Sequence, residues 1–117
     1  MVGLGFVFSG QGSQYPGMGS DLYREYHQVR KIYDEAEKMT PGVIKTCFGS
    51  DREELSKTIN TQPCLFLLET AVAALLGDLG IRADASAGFS AGETAAARYS
   101  GIMDPVQAYE YAVFRAA

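Results

Sequence analysis

The run Gly-Phe-Ser-Ala-Gly at residues 88–92 constrains the fold most, because it lies between two contrasting segments. Residues 83–87 (ADASA) precede it, and residues 93–97 (ETAAA), a good helix former, follow it. Alanine is a poor strand former, so propensity alone makes 83–87 a loop or a helix. Its place before a G-x-S-x-G run favours a short central strand that turns sharply into a helix. The alternative interpretation of residues 88–92 is a turn of small residues without any chemical role, which has the same composition.

A second strand is predicted near the N-terminus. Residues 4–8 (LGFVF) form an apolar run that ends in a glycine-rich loop over residues 9–17, as expected of a buried strand. The sequence predicts helices over residues 21–38, 43–50, 51–59, 61–79, 91–100 and from Asp104 onward. Residues 43–50 are also compatible with a short strand.

Two of these helices carry start signals. Thr61 is predicted to cap the helix over 61–79, with Pro63 in its first turn. Asp104, Pro105 and Gln107 match an N-cap, a first helical residue and a capping-box partner. The resulting order of strand, helices, strand and helices predicts an α/β fold with a parallel sheet. Two parallel strands make a marginal sheet, so the predicted fold is incomplete.

Composition excludes several classes of function. The 117 residues carry a formal charge of −4, which provides no basic surface for nucleic acid or an anionic membrane. The apolar residues 64–76 are interrupted by Glu69 and Thr70, which predicts a core helix and not a membrane span. No signal peptide is predicted. Cys47 and Cys64 are predicted to be free, reduced thiols in a cytoplasmic protein, with no metal site.

Ser90 is the candidate nucleophile, since the apex of a strand–turn–helix elbow exposes its hydroxyl above the sheet. The N–H of Ala91, at the start of the next helix, could stabilise a developing oxyanion. Gln11, in the early glycine-rich loop, is the candidate for a second N–H donor. Arg115 could bind a carboxylate through two hydrogen bonds, although a single helical Arg is more often solvated. His27, the only histidine, is interpreted as a surface residue and not as the base for Ser90.

Four segments together resemble the malonyl-CoA:acyl carrier protein transacylase family and the related acyltransferase domains of polyketide synthases. They are residues 6–19 (FVFSGQGSQYPGMG), residues 61–63 (TQP), residues 87–93 (AGFSAGE) and Arg115, which follows Ser90 by 25 residues. In the turn, Phe89 stands where that family usually has histidine.

The resemblance implies a fold and a reaction. Residues 1–117 would be part of one acyltransferase domain, the N-terminal portion of an α/β-hydrolase-like large subdomain, without the ferredoxin-like small subdomain. Ser90 would take malonyl from coenzyme A as an ester and pass it to the phosphopantetheine thiol of acyl carrier protein. Gln11 and Ala91 would donate to the oxyanion, Arg115 would bind the free carboxylate, and Gln62 would support the site. No permanently bound cofactor is implied, and malonyl-CoA is the substrate.

The family's catalytic histidine would fall after Ala117. The chain alone is therefore expected to have little or no activity, and to self-associate or to require a second chain that completes the fold. Two alternatives remain: a serine hydrolase fragment, which shares the G-x-S-x-G pattern, and a non-catalytic binding module derived from a split or truncated acyltransferase.

Overall fold

The computed structural model describes residues 3–89 and 92–116. The described elements are β1 (Gly5–Phe8), α1 (Ser20–Glu25), α2 (His27–Met39), α3 (Val43–Phe48), α4 (Arg52–Leu55), α5 (Thr58–Asp78), β2 (Ala85–Gly88), α6 (Gly92–Tyr99) and α7 (Pro105–Ala116). Both predicted strands and the helical assignment of 43–50 are confirmed. The order of elements is that of an α/β protein.

The two strands are parallel neighbours. Gly5 pairs with Ala85 and Phe8 with Gly88, so the strands run side by side over their whole length. Their carboxyl ends therefore meet at one edge of the sheet, where the loop after β1 and the turn after β2 begin. This juxtaposition brings together two segments about 80 residues apart in sequence.

Helix α5 is the centre of the fold. It packs against α2, α3, α4, α6 and α7. Its buried residues include Cys64, Leu65, Phe66 and Leu67. Among the described helices, α5 is the one whose length and apolar composition would suffice to cross a membrane. A core helix passes the same test, and the contacts of α5 with five neighbours agree with the predicted core helix.

The single helix predicted over residues 21–38 is wrong, because the chain breaks at Tyr26. This residue is extended, with φ −122° and ψ 122°, and separates α1 from α2. Arg30 supports the break, since its Nη1 donates to the carbonyl oxygens of Tyr23 at 3.1 Å and Arg24 at 2.9 Å. These bonds satisfy carbonyls at the end of α1 that a continuous helix would have used.

The prediction that Thr61 caps α5 is also wrong. The helix begins three residues earlier, and Thr61 lies within it, fully buried. Its hydroxyl lies within hydrogen-bond distance of the carbonyl oxygens of Leu55 and Lys57. The start of α7 is confirmed: the Gln107 N–H donates to Asp104 Oδ1 at 2.9 Å, and the Gln107 side-chain oxygen faces the Asp104 N–H at 3.4 Å.

The prediction of two free thiols is contradicted, because Cys47 and Cys64 form a disulfide. Helix α3 packs against α5 and brings the two Cα atoms to 5.3 Å, within the range that a disulfide spans. Both residues are buried. Their sequence separation of 17 residues gave no local signal, since the pairing depends on how two helices pack.

Candidate functional site

The turn between β2 and α6 is tight enough to require glycine at both ends. A Cβ added to Gly88 would lie 2.2 Å from the Gly92 carbonyl oxygen, and one added to Gly92 would lie 2.2 Å from that of Phe8. The Gly92 N–H donates to the Phe89 carbonyl at 2.9 Å, which closes the turn. Ser90 and Ala91 lie within this turn but outside the described residues.

The loop after β1 lies directly against the turn. The Phe89 N–H donates to the Phe8 carbonyl at 3.0 Å, and a Cβ on Gly92 would approach the Ser9 carbonyl oxygen to 2.6 Å. Phe8 and Ser9 therefore contact both residues that flank positions 90 and 91. The structure thus brings the loop that contains Gln11 next to the predicted nucleophile turn.

Gln11 is held by its side chain, whose Nε2 donates to Thr58 Oγ1 at 3.1 Å. Within the described part of the chain, its backbone N–H has no hydrogen-bond acceptor. Nearby, the Ser13 N–H donates to the Gly10 carbonyl at 3.3 Å, and the Gly12 N–H donates to Gln14 Oε1 at 2.7 Å. The loop is thus a closed turn whose exposed tip contains the Gln11 N–H.

Arg115 lies near the end of α7 and reaches the start of α6. Its Nη1 lies 3.8 Å from Glu93 Oε2, and the two side chains are 30% and 65% exposed. An ion pair with this exposure contributes little to stability. The pair does fix a position: it places the guanidinium near Glu93, the residue that follows Gly92 at the start of α6.

Gln62 and Glu69 lie seven residues apart on α5 and so share a face of that helix. Gln62 is half-buried. Both carboxylate oxygens of Glu69 are buried, and neither has a hydrogen-bond partner of normal geometry among residues 3–89 and 92–116. Burial raises the pKa of the Glu69 carboxyl to about 7, and the backbone and hydroxyl of Ser9 act in the opposite direction.

Sequence reasoning did not predict a role for Glu69 or for Glu93. A signal for Glu69 was present, because it is a carboxylate within an otherwise apolar helical segment. Glu93 carried no comparable signal, since a Glu in the first turn of a helix is common.

Replacing Glu69 with glutamine is expected to make stability less dependent on pH. Because the folded-state pKa lies above the usual 4.5, the wild-type chain loses stability as the pH rises from about 4.5 through about 7. Glutamine cannot ionise, so the free energy of unfolding of Glu69→Gln relative to wild type should increase over that interval. Urea unfolding at pH 5 and pH 8 measures it. Glu110→Gln, an exposed site on α7, is the control, and an equal response of both variants would contradict the expectation.

A cavity lies elsewhere in the structure. It has a volume of about 650 Å³ and is lined from α2, α5, α6 and α7 by residues such as Ile32, Phe66, Tyr99 and Tyr109. Gln11, Gln62 and Arg115, the predicted site residues that the structure describes, do not line it. His27 is exposed at the start of α2, a helix that packs against α1, α3 and α5.

The glycine-bounded turn and the loop of Gln11 lie at the carboxyl edge of the parallel sheet, and Arg115 reaches the start of α6 beside them. Ligands usually bind at this edge in α/β proteins. Together these features define the class of the protein: an α/β protein with a G-x-S-x-G turn at that edge of the sheet. The chain belongs to the acyl transferase family, whose domain model, "Acyl transferase domain", matches residues 5–117.

Relatives and solved structures agree with this assignment. The chain is 38% identical over 104 residues to the malonyl CoA-acyl carrier protein transacylase of Bacillus subtilis (strain 168), covering 88% of this chain and 33% of that protein. It is 41% identical over 99 residues to the transacylase of the same name from Synechocystis sp. (strain PCC 6803), covering 85% of this chain and 33% of that protein.

The crystal structure of the Synechocystis malonyl-CoA:ACP transacylase superposes with a TM-score of 0.93 and 37% identity, covering 98% of this chain and 39% of that one. The acyltransferase domain from the second module of the salinomycin polyketide synthase gives a TM-score of 0.91 and 37% identity, covering 99% and 28% of the respective chains. The chain spans about one third of the length of the curated relatives it matches, and corresponds to their N-terminal part.

Proposed function

We propose that this chain supplies the acyl-accepting half of a malonyl-transferring site. Ser90 takes the malonyl group from coenzyme A as an ester and passes it to the phosphopantetheine thiol of acyl carrier protein. The observation that carries the proposal is the contact of the glycine-bounded turn at 88–92 with the end of β1, in a chain whose relatives are named malonyl-CoA transacylases. This turn is a nucleophile elbow in the proposal.

The proposed oxyanion donors are the backbone N–H groups of Gln11 and Ala91. The free N–H of Gln11 and the contact of its loop with Phe89 and Gly92 support the first assignment. The second assignment rests on sequence, since Ala91 follows Ser90 at the start of α6. Two such donors stabilise the tetrahedral intermediate in each half-reaction. Gln62, on the face of α5 that also carries Glu69, is proposed as a supporting residue.

Arg115 is proposed to bind the free carboxylate of the malonyl group. Its Nη1 lies 3.8 Å from Glu93 Oε2, at the start of the helix that follows the turn, and a bidentate pair with a carboxylate is stronger than a pair with a neutral group. The substrate carboxylate would share Arg115 with Glu93 or displace it, which costs little because this ion pair is exposed.

Arg115→Ala is expected to lower the preference for malonyl over acetyl groups by roughly 10- to 100-fold. This factor corresponds to the usual free energy of hydrogen bonds to a charged group. Arg115→Lys should retain part of that preference, since a lysine keeps the charge but not the fork of donors. The assay uses a chimera in which residues 3–116 replace the matched segment of the Synechocystis transacylase. An unchanged preference in Arg115→Ala would remove this residue from the substrate site.

The 117 residues contain one histidine, and His27 is exposed on a helix outside the proposed site. We therefore propose that a polypeptide of these residues alone transfers little or no malonyl, because Ser90 requires a base within hydrogen-bond reach. We further propose that these residues are the N-terminal part of one acyltransferase domain, in its α/β-hydrolase-like large subdomain. We also propose a cytoplasmic location, as the sequence suggests.

We further expect the 117-residue chain to self-associate or to be covered by a second chain. The described sheet contains two strands, so each has an unpaired outer edge. Large apolar side chains beside it are exposed, Val7 by 81% and Phe89 by 73%. Edges and apolar patches of this kind favour association. Light scattering of the purified chain should give a mass above that of a monomer, and a stable monomer at high concentration would contradict the expectation.

A further inference from the structure

The loop that contains Gln11 is tied by its side chains to the α4–α5 junction, residues 56–58. Gln11 Nε2 donates to Thr58 Oγ1 at 3.1 Å, and Gln14 Nε2 donates to Ser56 Oγ at 3.4 Å. These bonds join residues 47 and 42 positions apart in sequence. Neither Ser56 nor Thr58 takes part in the proposed reaction, so what the bonds determine is the position of the loop.

The α4–α5 junction is fixed from inside the core. The Thr61 side chain is fully buried, and its hydroxyl lies within hydrogen-bond distance of the carbonyl oxygens of Leu55 and Lys57, on either side of Ser56. Leu55 is buried as well. Hydrogen bonds of a buried group to the backbone hold that backbone in one conformation. The junction therefore gives the exposed loop a rigid support.

Packing does not fix the tip of the loop, since Gln11, Gly12 and Ser13 are all exposed. Hydrogen bonds hold it instead. The Gly12 N–H donates to Gln14 Oε1 at 2.7 Å, so the amide group that reaches the α4–α5 junction also holds the peptide that follows Gln11. The Gln11 side chain is held separately at Thr58. The backbone of Gln11 is thus positioned by side-chain bonds on both counts.

We propose that Thr58 is a positioning residue, whose hydroxyl holds the Gln11 side chain and so keeps the Gln11 N–H in place beside the turn over 88–92. This role rests on the proposed function, which takes that N–H as an oxyanion donor. Thr58 itself touches no reacting atom. A backbone donor stabilises an oxyanion effectively only when it is held in position before the charge develops. The tether at Thr58 supplies that preorganisation.

Steady-state kinetics in the Synechocystis chimera test this role. Thr58→Val removes the acceptor and keeps the size of the side chain. We expect kcat for malonyl transfer to fall about three- to tenfold, which corresponds to the usual net free energy of one hydrogen bond. The KM for malonyl-CoA should stay within about twofold, because the oxyanion forms only along the reaction path. Thr58→Ser keeps the hydroxyl and should restore most of the rate.

A double-mutant cycle separates a tether from a general structural effect. Gln11→Ala removes the side chain that Thr58 holds but keeps the backbone N–H, so its loss in kcat should equal that of Thr58→Val. The double variant should lose no more than either single variant, because each change already breaks the one bond. Thr46→Val is the matched control: it removes a hydroxyl that bonds within α3, to the Gly42 carbonyl, and should leave kcat unchanged.

Amide hydrogen exchange on the 117-residue chain measures the position of the loop without malonyl transfer. Exchange at Gly12 and Ser13 should accelerate about threefold or more in Thr58→Val and in Gln11→Ala, while amides in the middle of α5 and α7 keep their wild-type rates. Additive losses in the double variant, or unchanged loop exchange, in a chimera that depends on Ser90 would overturn the positioning role alone. A chimera whose activity does not depend on Ser90 would overturn the proposed function, and this role with it.

Discussion

Ser90→Ala in the Synechocystis chimera is expected to reduce malonyl transfer by roughly 10⁴-fold or more. Loss of a serine nucleophile removes the covalent intermediate, and the remaining oxyanion donors and substrate contacts provide only residual catalysis. Since the turn at 88–92 comes from this chain, the loss can be assigned to it. The rate of malonyl transfer from coenzyme A to acyl carrier protein is the measurement.

The matched control is Ser50→Ala, an exposed serine in the segment between α3 and α4. It should leave the transfer rate within about twofold of the parent chimera, as is usual for an exposed substitution. Circular dichroism should show that both variants melt like the parent. If Ser90→Ala retained more than a tenth of the activity, Ser90 would not be the nucleophile.

Gly92→Ala is expected to destabilise the 117-residue chain by about 3 kcal/mol or more, at the upper end of the cost of overpacking. The added Cβ would meet the carbonyl oxygens of Phe8 at 2.2 Å and Ser9 at 2.6 Å. Both atoms are backbone atoms at the end of a paired strand, so they cannot rotate away as a side chain would. Relief requires that β1 and α6 separate. Urea unfolding gives the change in free energy.

Gly77→Ala is the control of opposite sign. Gly77 lies inside α5, and an added Cβ would come no closer than 3.8 Å to the Arg82 side chain. Alanine is favoured over glycine within a helix by about 1 kcal/mol, so this variant should be more stable than wild type. Equal effects of the two substitutions would show that the close approach of β1 and α6 does not exist in solution.

The parts of the fold that depend on local chemistry were predictable. The capping box at Asp104 and Gln107 was predicted because a cap is formed by residues three apart. The break at Tyr26 was not predictable, since Tyr26 continues the helical spacing of Leu22 and Val29. The bonds from Arg30 to the carbonyls at the end of α1 are not visible in the sequence. The Cys47–Cys64 bond was missed for a similar reason, because only the packing of α3 on α5 brings the cysteines together.

The tight turn was predictable from the sequence, but the contacts around it were not. The pattern G-x-S-x-G predicts a tight turn, and the distances at Gly88 and Gly92 confirm how tight it is. Sequence did not indicate that Arg115 pairs with Glu93, because the residues lie on different helices. Nor did it predict that both carboxylate oxygens of Glu69 are buried, because that depends on which elements pack over α5.

Peptide-mapping mass spectrometry tests the central claim most directly. The chimera is mixed with malonyl-CoA without acyl carrier protein, quenched in acid and digested. We predict one malonyl ester on the peptide containing Ser90, absent in Ser90→Ala, and its transfer to the phosphopantetheine thiol when acyl carrier protein is added. A folded, active chimera with no ester on that peptide, or with an ester that persists in Ser90→Ala, would contradict the account.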